Sequence, residues 1–574
     1  MGDDALAEIF SMSAPVLVSQ FDLLAGAPGG VARLRELILS LAVRGKLTAQ
    51  HPTDEPAHVL LQRIQDAKAL HVPRGGRRAA GTAMEVNESD LEVLDSLPPG
   101  WVWSSLSSIG LISPRNEAED AAIASFVPMS AIPVAFTDAH ETESRPWLDI
   151  KSGFTHFAEG DVGVAKITPC FENGKSTVFK DLCNGIGAGT TELYVVRPLC
   201  GVTPRYVLLF LKSPGFLKGG EAVMTGTAGQ KRLPRAFFED CPFPLPPLAE
   251  QARIVARVDE LMQLCDALEA KGRLEAQQHA RLLETLLVTL TDSTTPEELA
   301  ANWQRVAEHF DLLLDRPEAV DVLEQTVLQL AVRGLLVPQD RNDIPPARLI
   351  STGPGRSPVP PHSTIPPDQS ESNVETGLLP SGWELVQLHQ VADTRLGKML
   401  DKSKNRGLPR PYLRNTNVQW GRFDLGDVKT MNLEESELQE FRLAVGDLLI
   451  CEGGEPGRCA IWRDDEREMY FQKALHRVRP HAGVSAEYIA IALESDAISG
   501  ALDEYFTGAT IKHFVGQALQ RYTFALPPAA EQARIVARVT ELRRLCAELR
   551  HCLAASQATQ SRLAGALVES VETT

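Results

Sequence analysis

Two stretches of the chain share a spacing of apolar positions that is typical of long amphipathic helices. One runs through Ile254, Val258, Leu261, Cys265 and Leu268, and the other through Ile535, Val539, Leu542, Cys546 and Leu549. Both follow the a and d spacing of a heptad repeat, which resumes at Leu282 and Leu286 and at Leu563 and Leu567. Because a Pro-Pro pair sets each helix start, the pattern predicts two helices of roughly 40 residues, about 60 Å long.

The two helices lie in a tandem repeat. The nonapeptide EQARIVARV occupies 250–258 and again 531–539, where the polar Glu, Gln and Arg are expected on the solvent face. Three further blocks repeat in the same order: LSLAVRGKLTAQ with LQLAVRGLLVPQ, LPPGW with LPSGW, and, more weakly, PRYVLLFLKS with AEYIAIALES. A long helix with one apolar stripe must bury it, and its twin is the expected partner, although each helix packing on its own domain remains an alternative. The residues expected to pair the helices are Ile254, Val258, Leu261, Leu268, Ile535, Val539, Leu542 and Leu549.

Between the repeated blocks the two halves diverge. Residues 110–199 and 398–480 share little beyond a Gly-Asp pair, at Gly160–Asp161 and Gly446–Asp447. A repeated frame with unlike contents indicates two recognition modules that read two different things. Antiparallel pairing of the twin helices would relate the halves by a pseudo-two-fold axis, which matches the symmetry of duplex DNA.

Composition narrows the class of protein without deciding it. The chain has 574 residues, and its formal net charge of −18 argues against nucleic-acid binding overall, but binding depends on local patches. Nine cysteines occur without a CxxC pair or a Cys/His ligand spacing, which favours free thiols in a cytoplasmic protein over disulfides or a metal site. We expect no membrane span and no signal peptide.

A basic stretch in the second half is the first candidate for DNA contact. Residues 395–422 hold eight Lys or Arg and one acid, interrupted by Gly and Pro, which suits a loop that touches phosphates and base edges; a solvated face is the alternative. Its candidate residues are Lys398, Lys402, Lys404, Arg406, Arg410, Arg414, Asn415 and Asn417.

Loops that precede each long helix, and a turn in each divergent region, supply further candidates. TGTAGQKRLPR and TGATIKHF share a Thr-Gly pair followed by cations, and the candidates there are Lys231, Arg232, Arg235 and Lys512. KITPCFENGKS ends like a phosphate-binding loop, but Pro169 stands where that motif needs Gly, so we interpret it as a recognition turn. The turns add Lys166, Asn173, Lys175, Arg458 and Lys473, whereas His476 and His513 are weaker candidates because lone histidines are more often structural.

With these motifs in view, the chain resembles the specificity subunit of a type I restriction-modification system. The resemblance rests on the PLPPLAEQARIVARVDELMQLCDALE block, LAVRGKL with DEPAHVLLQRI, LPPGW and LPSGW, and GDVGVAKITPCFENGK, and it runs from about Leu34 to the end. It implies an α+β fold with two target-recognition domains joined by two long antiparallel coiled-coil helices. The expected segments are a helical region 1–96, recognition domain 97–247, spacer helix 248–290, helical connector 291–340, Pro-rich linker 341–378, recognition domain 379–528 and spacer helix 529–574.

The resemblance also implies the partners. The chain would bind double-stranded DNA at a bipartite, asymmetric site, and would dock two methyltransferase subunits and the restriction-translocase subunits. It would be non-catalytic and carry no cofactor, with S-adenosylmethionine, ATP and Mg expected on the partners. The sequence shows no methyltransferase tetrad, phosphate-binding loop or nucleophile elbow. Two alternatives stay open: a protein-interaction scaffold without DNA binding and, more weakly, a DNA enzyme whose site is not recognisable.

Overall fold

A computed structural model describes residues 21–70, 96–227, 229–346, 379–401, 406–508 and 510–573. Its contacts divide the chain into two compact units, one formed by residues up to Glu275 with Gln557–Thr574, and the other by Ala276–Ser556. Both long helices therefore cross from one unit to the other. No helix in the described ranges is long and apolar enough to cross a membrane.

The first unit begins with helices and continues into a mixed α/β region. The helices up to the spacer are α1 (Phe21–Gly26), α2 (Gly30–Val43), α3 (Ala57–Leu70), α4 (Leu106–Ile109), α5 (Trp147–Ile150), α6 (Pro204–Leu211), α7 (Pro214–Val223) and α8 (Arg235–Asp240). The strands are β1 (Val102–Ser104), β2 (Gly110–Ile112), β3 (Ile123–Val127), β4 (Glu143–Pro146), β5 (Thr155–Ala158), β6 (Val162–Ala165), β7 (Ser176–Val178), β8 (Ile186–Gly189), β9 (Leu193–Pro198) and β10 (Phe243–Leu245). The spacer helix α9 spans Leu248–Thr291.

The second unit repeats this order. Its helices are α10 (Pro296–Glu308), α11 (Phe310–Leu313), α12 (Pro317–Val332), α13 (Leu388–Val391), α14 (Glu435–Phe441), α15 (Ala486–Ser499), α16 (Gly516–Arg521) and the spacer helix α17 (Ala529–Thr573). Its strands are β11 (Glu384–Gln387), β12 (Ala392–Leu396), β13 (Leu408–Leu413), β14 (Val418–Gln419), β15 (Arg422–Phe423), β16 (Lys429–Leu433), β17 (Leu448–Cys451), β18 (Cys459–Ile461), β19 (Tyr470–Phe471), β20 (Leu475–Pro480) and β21 (Thr523–Leu526).

The central sheets of the two units have the same topology. The strand order is β2-β9-β6-β7 in the first and β12-β20-β17-β18 in the second, with antiparallel neighbours throughout. The shared Gly-Asp pair belongs to this frame, because Asp161 and Asp447 are buried and each accepts a two-pronged hydrogen bond from an arginine at the end of the adjacent strand, Arg197 or Arg479. The remaining strands differ: the first unit contains a four-stranded sheet β4-β3-β8-β5, whereas the second contains a three-stranded sheet β16-β13-β19.

The repeated nonapeptide is a buried polar junction, and our placement of its Glu and Gln on the solvent face is wrong. Glu250 and Glu531 are 1% exposed, and Gln251 and Gln532 are 0% and 2% exposed. Glu250 accepts hydrogen bonds from Trp101 Nε1 at 2.9 Å and Gln50 Nε2 at 3.2 Å, so three separately repeated blocks meet at one carboxylate.

The neighbouring glutamines tie each spacer helix to its recognition region. Gln251 accepts a hydrogen bond from the main-chain N–H of Thr203, at the start of α6, and donates to the carbonyl of Pro246. Gln532 makes the equivalent bonds to Ser485 and Pro527. The repeated arginines form ion pairs with repeated acids as well, Arg253 with Asp54 and Arg534 with Asp343.

The buried stripe of each spacer helix follows the helical period of 3.6 residues, not the heptad. After Cys265 it resumes at Leu283, Leu287 and Leu290, and after Cys546 it resumes at Ala564. Leu282 and Leu563 are 54% and 46% exposed, so the resumption at Leu282 and Leu563 was predicted one residue too early. Eighteen residues make five turns of an α-helix, whereas a strict heptad drifts from that period.

The repeat extends further towards the N-terminus than the block LSLAVRGKLTAQ, where the sequence analysis placed its start. Residues 21–24 and 310–313 both read FDLL, and Leu24 and Leu313 are buried at equivalent places. In the first unit, Leu24 and α2 share a hydrophobic core with Ala564 of α17. In the second, Leu313 and α12 share one with Leu283, Leu287 and Leu290 of α9.

Candidate nucleic-acid interface

In the first unit, a turn after β6 and the Thr-Gly loop pack on each other. The turn, residues 166–175, connects β6 with β7. The loop closes on itself by two backbone hydrogen bonds between Thr225 and Arg232, at 3.1 and 2.8 Å. Thr168 then joins the two segments, because its N–H donates to the Lys231 carbonyl and its hydroxyl accepts from the Lys231 N–H, both at 3.0 Å.

The second unit builds the same arrangement from different residues. Thr507 and His513 close the loop with reciprocal backbone hydrogen bonds of 2.9 and 2.8 Å, and Phe514 N–H donates to the Glu452 carbonyl in the turn after β17. Gly508 has a φ of 99°, and a Cβ there would lie 2.3 Å from the Ile511 carbonyl oxygen, so the loop requires glycine. Two regions that were predicted separately in each half are therefore neighbours.

The first surface leaves two candidate side chains unengaged. Asn173 and Lys231 are exposed, and neither side chain makes a hydrogen bond or ion pair with another described residue. Lys166 lies 5.0 Å from the ring centroid of Tyr194, and Lys175 donates to the Met129 carbonyl at 2.9 Å. These positions make Asn173 and Lys231 the side chains best placed to meet a ligand.

Two arginines of the first surface are held by carboxylates. Arg232 forms a forked ion pair with Glu192, with a shortest distance of 2.7 Å, and Arg235 pairs with Glu239 on the same helix. The hydrogen bond from Arg232 lowers the pKa of Glu192, so that carboxyl stays ionised at neutral pH. Glu192 was missed because only the fold brings β9 beside the loop.

The basic stretch of the second half is largely neutralised by acids from elsewhere in the chain. Lys398 pairs with Glu437, Arg410 with Glu468 and Arg414 with Asp427. Outside this stretch, Arg458 pairs with Glu455 three residues earlier. Hydrogen bonds lower the pKa of Glu437, Glu468 and Asp427: from Lys398 to Glu437, from Tyr470 and Arg410 to Glu468, and from Lys429 and Arg414 to Asp427. The local excess of positive charge is thus smaller than the sequence indicates.

The asparagines and histidine of this region have structural roles as well. Asn417 is buried, and its amide donates to the carbonyls of Asp424 and Asp427. Asn415 donates to the Gly453 carbonyl and so joins a third segment to the turn. His476 is buried with Nε2 2.9 Å from the Phe514 carbonyl oxygen, as expected of a structural histidine.

The remaining candidate cations of the second unit are exposed. Arg406 and Lys473 carry no ion pair with any residue in the described part of the chain, whereas Lys512 pairs with Asp503 at 2.8 Å. Lys402 and Lys404 lie outside the described residues. Within the described ranges, no cluster of three or more His, Cys, Asp or Glu could hold a metal ion.

Comparison with known proteins identifies close relatives. The family model of the type I restriction modification DNA specificity domain matches residues 380–555. The specificity subunit of the type I restriction enzyme EcoAI from Escherichia coli is 40% identical over 94% of this chain and 93% of its own length. The EcoEI specificity subunit of the same organism is 38% identical, with the same shares of both chains covered.

A solved structure shares the fold. A chain from a study of complex assembly and conformational transition of the type I R-M system matches with a TM-score of 0.50 at 18% identity, over 83% of this chain and 99% of that one. The likeness at this identity concerns the arrangement of the backbone alone.

Proposed function

We propose how target DNA is read from one premise: this chain belongs to the family of type I restriction enzyme specificity subunits, and it supplies the DNA sequence specificity of such a system. Each recognition region reads one half of a bipartite, asymmetric target. The observation that carries this proposal is the same loop-on-turn surface, built twice on one frame from unlike residues. Two surfaces that differ in their residues but are carried by sheets of the same topology suit two half-sites of different sequence.

Within each unit, exposed side chains without a partner contact DNA, and side chains held by a carboxylate approach it in one fixed orientation. Asn173 and Lys231 in the first unit, and Arg406 and Lys473 in the second, are free to meet phosphates and base edges. Arg232, Arg410 and Arg414 are candidates for base reading, because their carboxylate partners fix the guanidinium groups in one orientation. Lys166, Lys175, Arg235, Lys398, Asn415, Arg458 and Lys512 remain candidates that lie next to these residues.

The two spacer helices pair in opposite directions and hold the recognition regions at a fixed distance. Support comes from how the helix ends divide between the units. Residues 248–275 of α9 and 557–573 of α17 belong to the first unit, and the remaining parts belong to the second. Ile254, Val258 and Leu261 share a core with Ala564, while Cys546 shares one with Leu283. Two helices that exchange ends in this way fit an antiparallel pair.

The same helices offer two equivalent docking surfaces for one kind of partner. Ala252, Ala256 and Glu260 are exposed in the first copy, and Ala533, Ala537 and Glu541 are exposed in the second. Core packing does not require these residues to be identical. Two copies of a methyltransferase subunit would bind there, and restriction subunits would join that core. Methyl transfer and cleavage then belong to the partners, with S-adenosylmethionine, ATP and Mg on those subunits, and reading cellular DNA would place the assembly in the cytoplasm.

The test measures affinity for duplex DNA with the chain bound to its methyltransferase partner. Lys231→Ala and Lys473→Ala should each weaken binding to all sequences, and should each reduce the salt slope of log K by about 0.9 over roughly 50 to 200 mM salt, since one phosphate contact is lost. Lys231→Arg and Lys473→Arg keep the charge and serve as controls. An unchanged slope in both alanine variants, together with no preference of the wild type for any bipartite sequence, would favour the scaffold instead.

A further inference from the structure

Lys212, which follows α6 directly, is a buried lysine whose three hydrogen bonds all go to main-chain carbonyls. Lys212 is only 5% exposed. The ammonium donates to the carbonyls of Pro133 at 3.2 Å, Val134 at 2.9 Å and Gly174 at 2.9 Å. All three donors of the ammonium are therefore used, and they join two segments that are distant in sequence.

The acceptors belong to the surface described above and to its divergent neighbour. Gly174 lies in the turn that carries Asn173, while Pro133 and Val134 lie between β3 and β4. A second link runs the same way, because Lys175 donates to the Met129 carbonyl at 2.9 Å. Lys212 thus lies where the repeated frame helix meets two segments of the divergent region, residues 110–199.

The burial of Lys212 is costly, which argues for a specific role. Moving an ammonium out of water is unfavourable unless it is fully hydrogen-bonded, and here the acceptors are neutral dipoles with no carboxylate among them. Desolvation lowers the pKa of Lys212 to about 7. An apolar residue at the end of α6 would avoid that cost, but it would leave the Val134 carbonyl without its donor and would remove one of two donors from the Pro133 and Gly174 carbonyls, which also accept from Ser176.

The equivalent residue of the second unit has the opposite charge and another partner. When PRYVLLFLKS is aligned with AEYIAIALES, Glu494 occupies the position equivalent to Lys212. Glu494 forms an ion pair with Arg543 of the spacer helix α17 at 2.6 Å. The frame needs no lysine at this position, so Lys212 serves the particular content of the first unit.

We infer that Lys212 is a positioning residue for base recognition by the first unit, holding residues 166–175 against residues 129–134 so that Asn173 and Lys231 meet one half-site in a fixed geometry. The inference rests on the proposed function. Lys212 itself is too buried to touch DNA, so it acts through the turn.

The experiment uses the full chain bound to its methyltransferase partner and duplexes with single base changes in either half-site. Lys212→Met removes all donors, and Lys212→Gln keeps part of them. In Lys212→Met we expect the ratio of affinities for target and substituted duplexes to fall roughly tenfold in one half-site, because the loosened turn no longer discriminates between base pairs. The ratio of affinities for Lys212→Gln should lie between those of the methionine variant and the wild type. In the other half-site, the ratio should remain that of the wild type in both variants.

Two comparisons separate positioning from general damage. Glu494→Gln changes the equivalent position of the second unit and should leave discrimination intact in both half-sites. Asn173→Ala should affect the same half-site as Lys212→Met. Unchanged discrimination in a folded Lys212→Met or Lys212→Gln variant, or an equal loss in both half-sites, overturns the inference. A wild-type complex that shows no bipartite preference overturns the proposed function instead, so the two failures are distinguishable.

Discussion

Removal of the Glu250 carboxylate tests whether the repeated blocks persist because they build one buried junction. Glu250 is 1% exposed and accepts hydrogen bonds from Trp101 and Gln50, which lie in two other repeated blocks. In Glu250→Ala the indole N–H of Trp101 stays buried, because that residue is only 6% exposed, and it loses its acceptor. The substitution therefore creates an unsatisfied donor in the core of the first unit.

The magnitude follows from the two lost bonds. A buried donor without a partner costs about 1–3 kcal/mol. Gln50 is half-buried and can turn towards water, so its bond adds about 0.5–1.5 kcal/mol. We expect Glu250→Ala to lower the free energy of unfolding of the first unit by about 2–4 kcal/mol, which corresponds to a decrease in Tm of about 4–8 °C for a unit of this size.

Hydrogen exchange at increasing urea, read by mass spectrometry, assigns the loss to one unit. Glu531→Ala should change exchange in the second unit alone, and the exposed Glu260→Ala should change stability by no more than about 0.5 kcal/mol. If Glu250→Ala behaves like Glu260→Ala, the repeated carboxylate does not hold the blocks together, and our explanation of the nonapeptide is wrong.

Further tests of the repeated frame concern the charge of Glu250, the hydrogen bond of Gln251 and the length of α9. Burial raises the pKa of Glu250 above its usual value of about 4.5. The stability that Glu250 contributes is therefore complete below a pH of about 4.5 and is lost as the pH rises through the raised pKa. In urea unfolding across this pH range, Glu250→Gln should become more stable relative to the wild type as the pH rises. Gln251→Leu removes the acceptor for the N–H of Thr203 and should cost about 1–3 kcal/mol in the first unit, whereas Gln532→Leu should act on the second unit alone, as exchange kinetics can show. Insertion of four residues near Arg273, where α9 is exposed, should lengthen the preferred gap between half-sites by about 1–2 base pairs, since one helical turn adds about 6 Å; an unchanged gap in methylation mapping contradicts the antiparallel spacer.

The helical frame was accessible from sequence because it depends on local periodicity. The apolar spacing predicted both long helices, and Ile254, Val258, Ile535 and Val539 are buried as expected. Leu268, Leu542 and Leu549 are only half-buried. The prediction failed where a heptad and a straight α-helix diverge, after Cys265, since a short window cannot distinguish 3.5 from 3.6 residues per turn.

The ion pairs and hydrogen bonds of the candidate residues could not be predicted from the sequence, because their partners are far away along the chain. Arg410 is one of eight cations in a stretch with a single acid, yet it pairs with Glu468, which is 58 residues away. Glu250 was assigned to solvent because helical amphipathicity places charged residues outside, and its donor Trp101 lies 149 residues earlier. Lys212 showed no signal beyond the change from FLKS to ALES, which acquires meaning only when its three acceptors are known.

Glu250 joins the two ends of the first recognition domain, because Trp101 lies at its start and the nonapeptide follows its end. The second unit presents Trp383 and Glu531 at the corresponding places. Genetic crossover within these repeated segments would transplant a whole reader while both seams stayed chemically intact. New combinations of half-sites then arise in single events, and each recognition domain diversifies independently of the other.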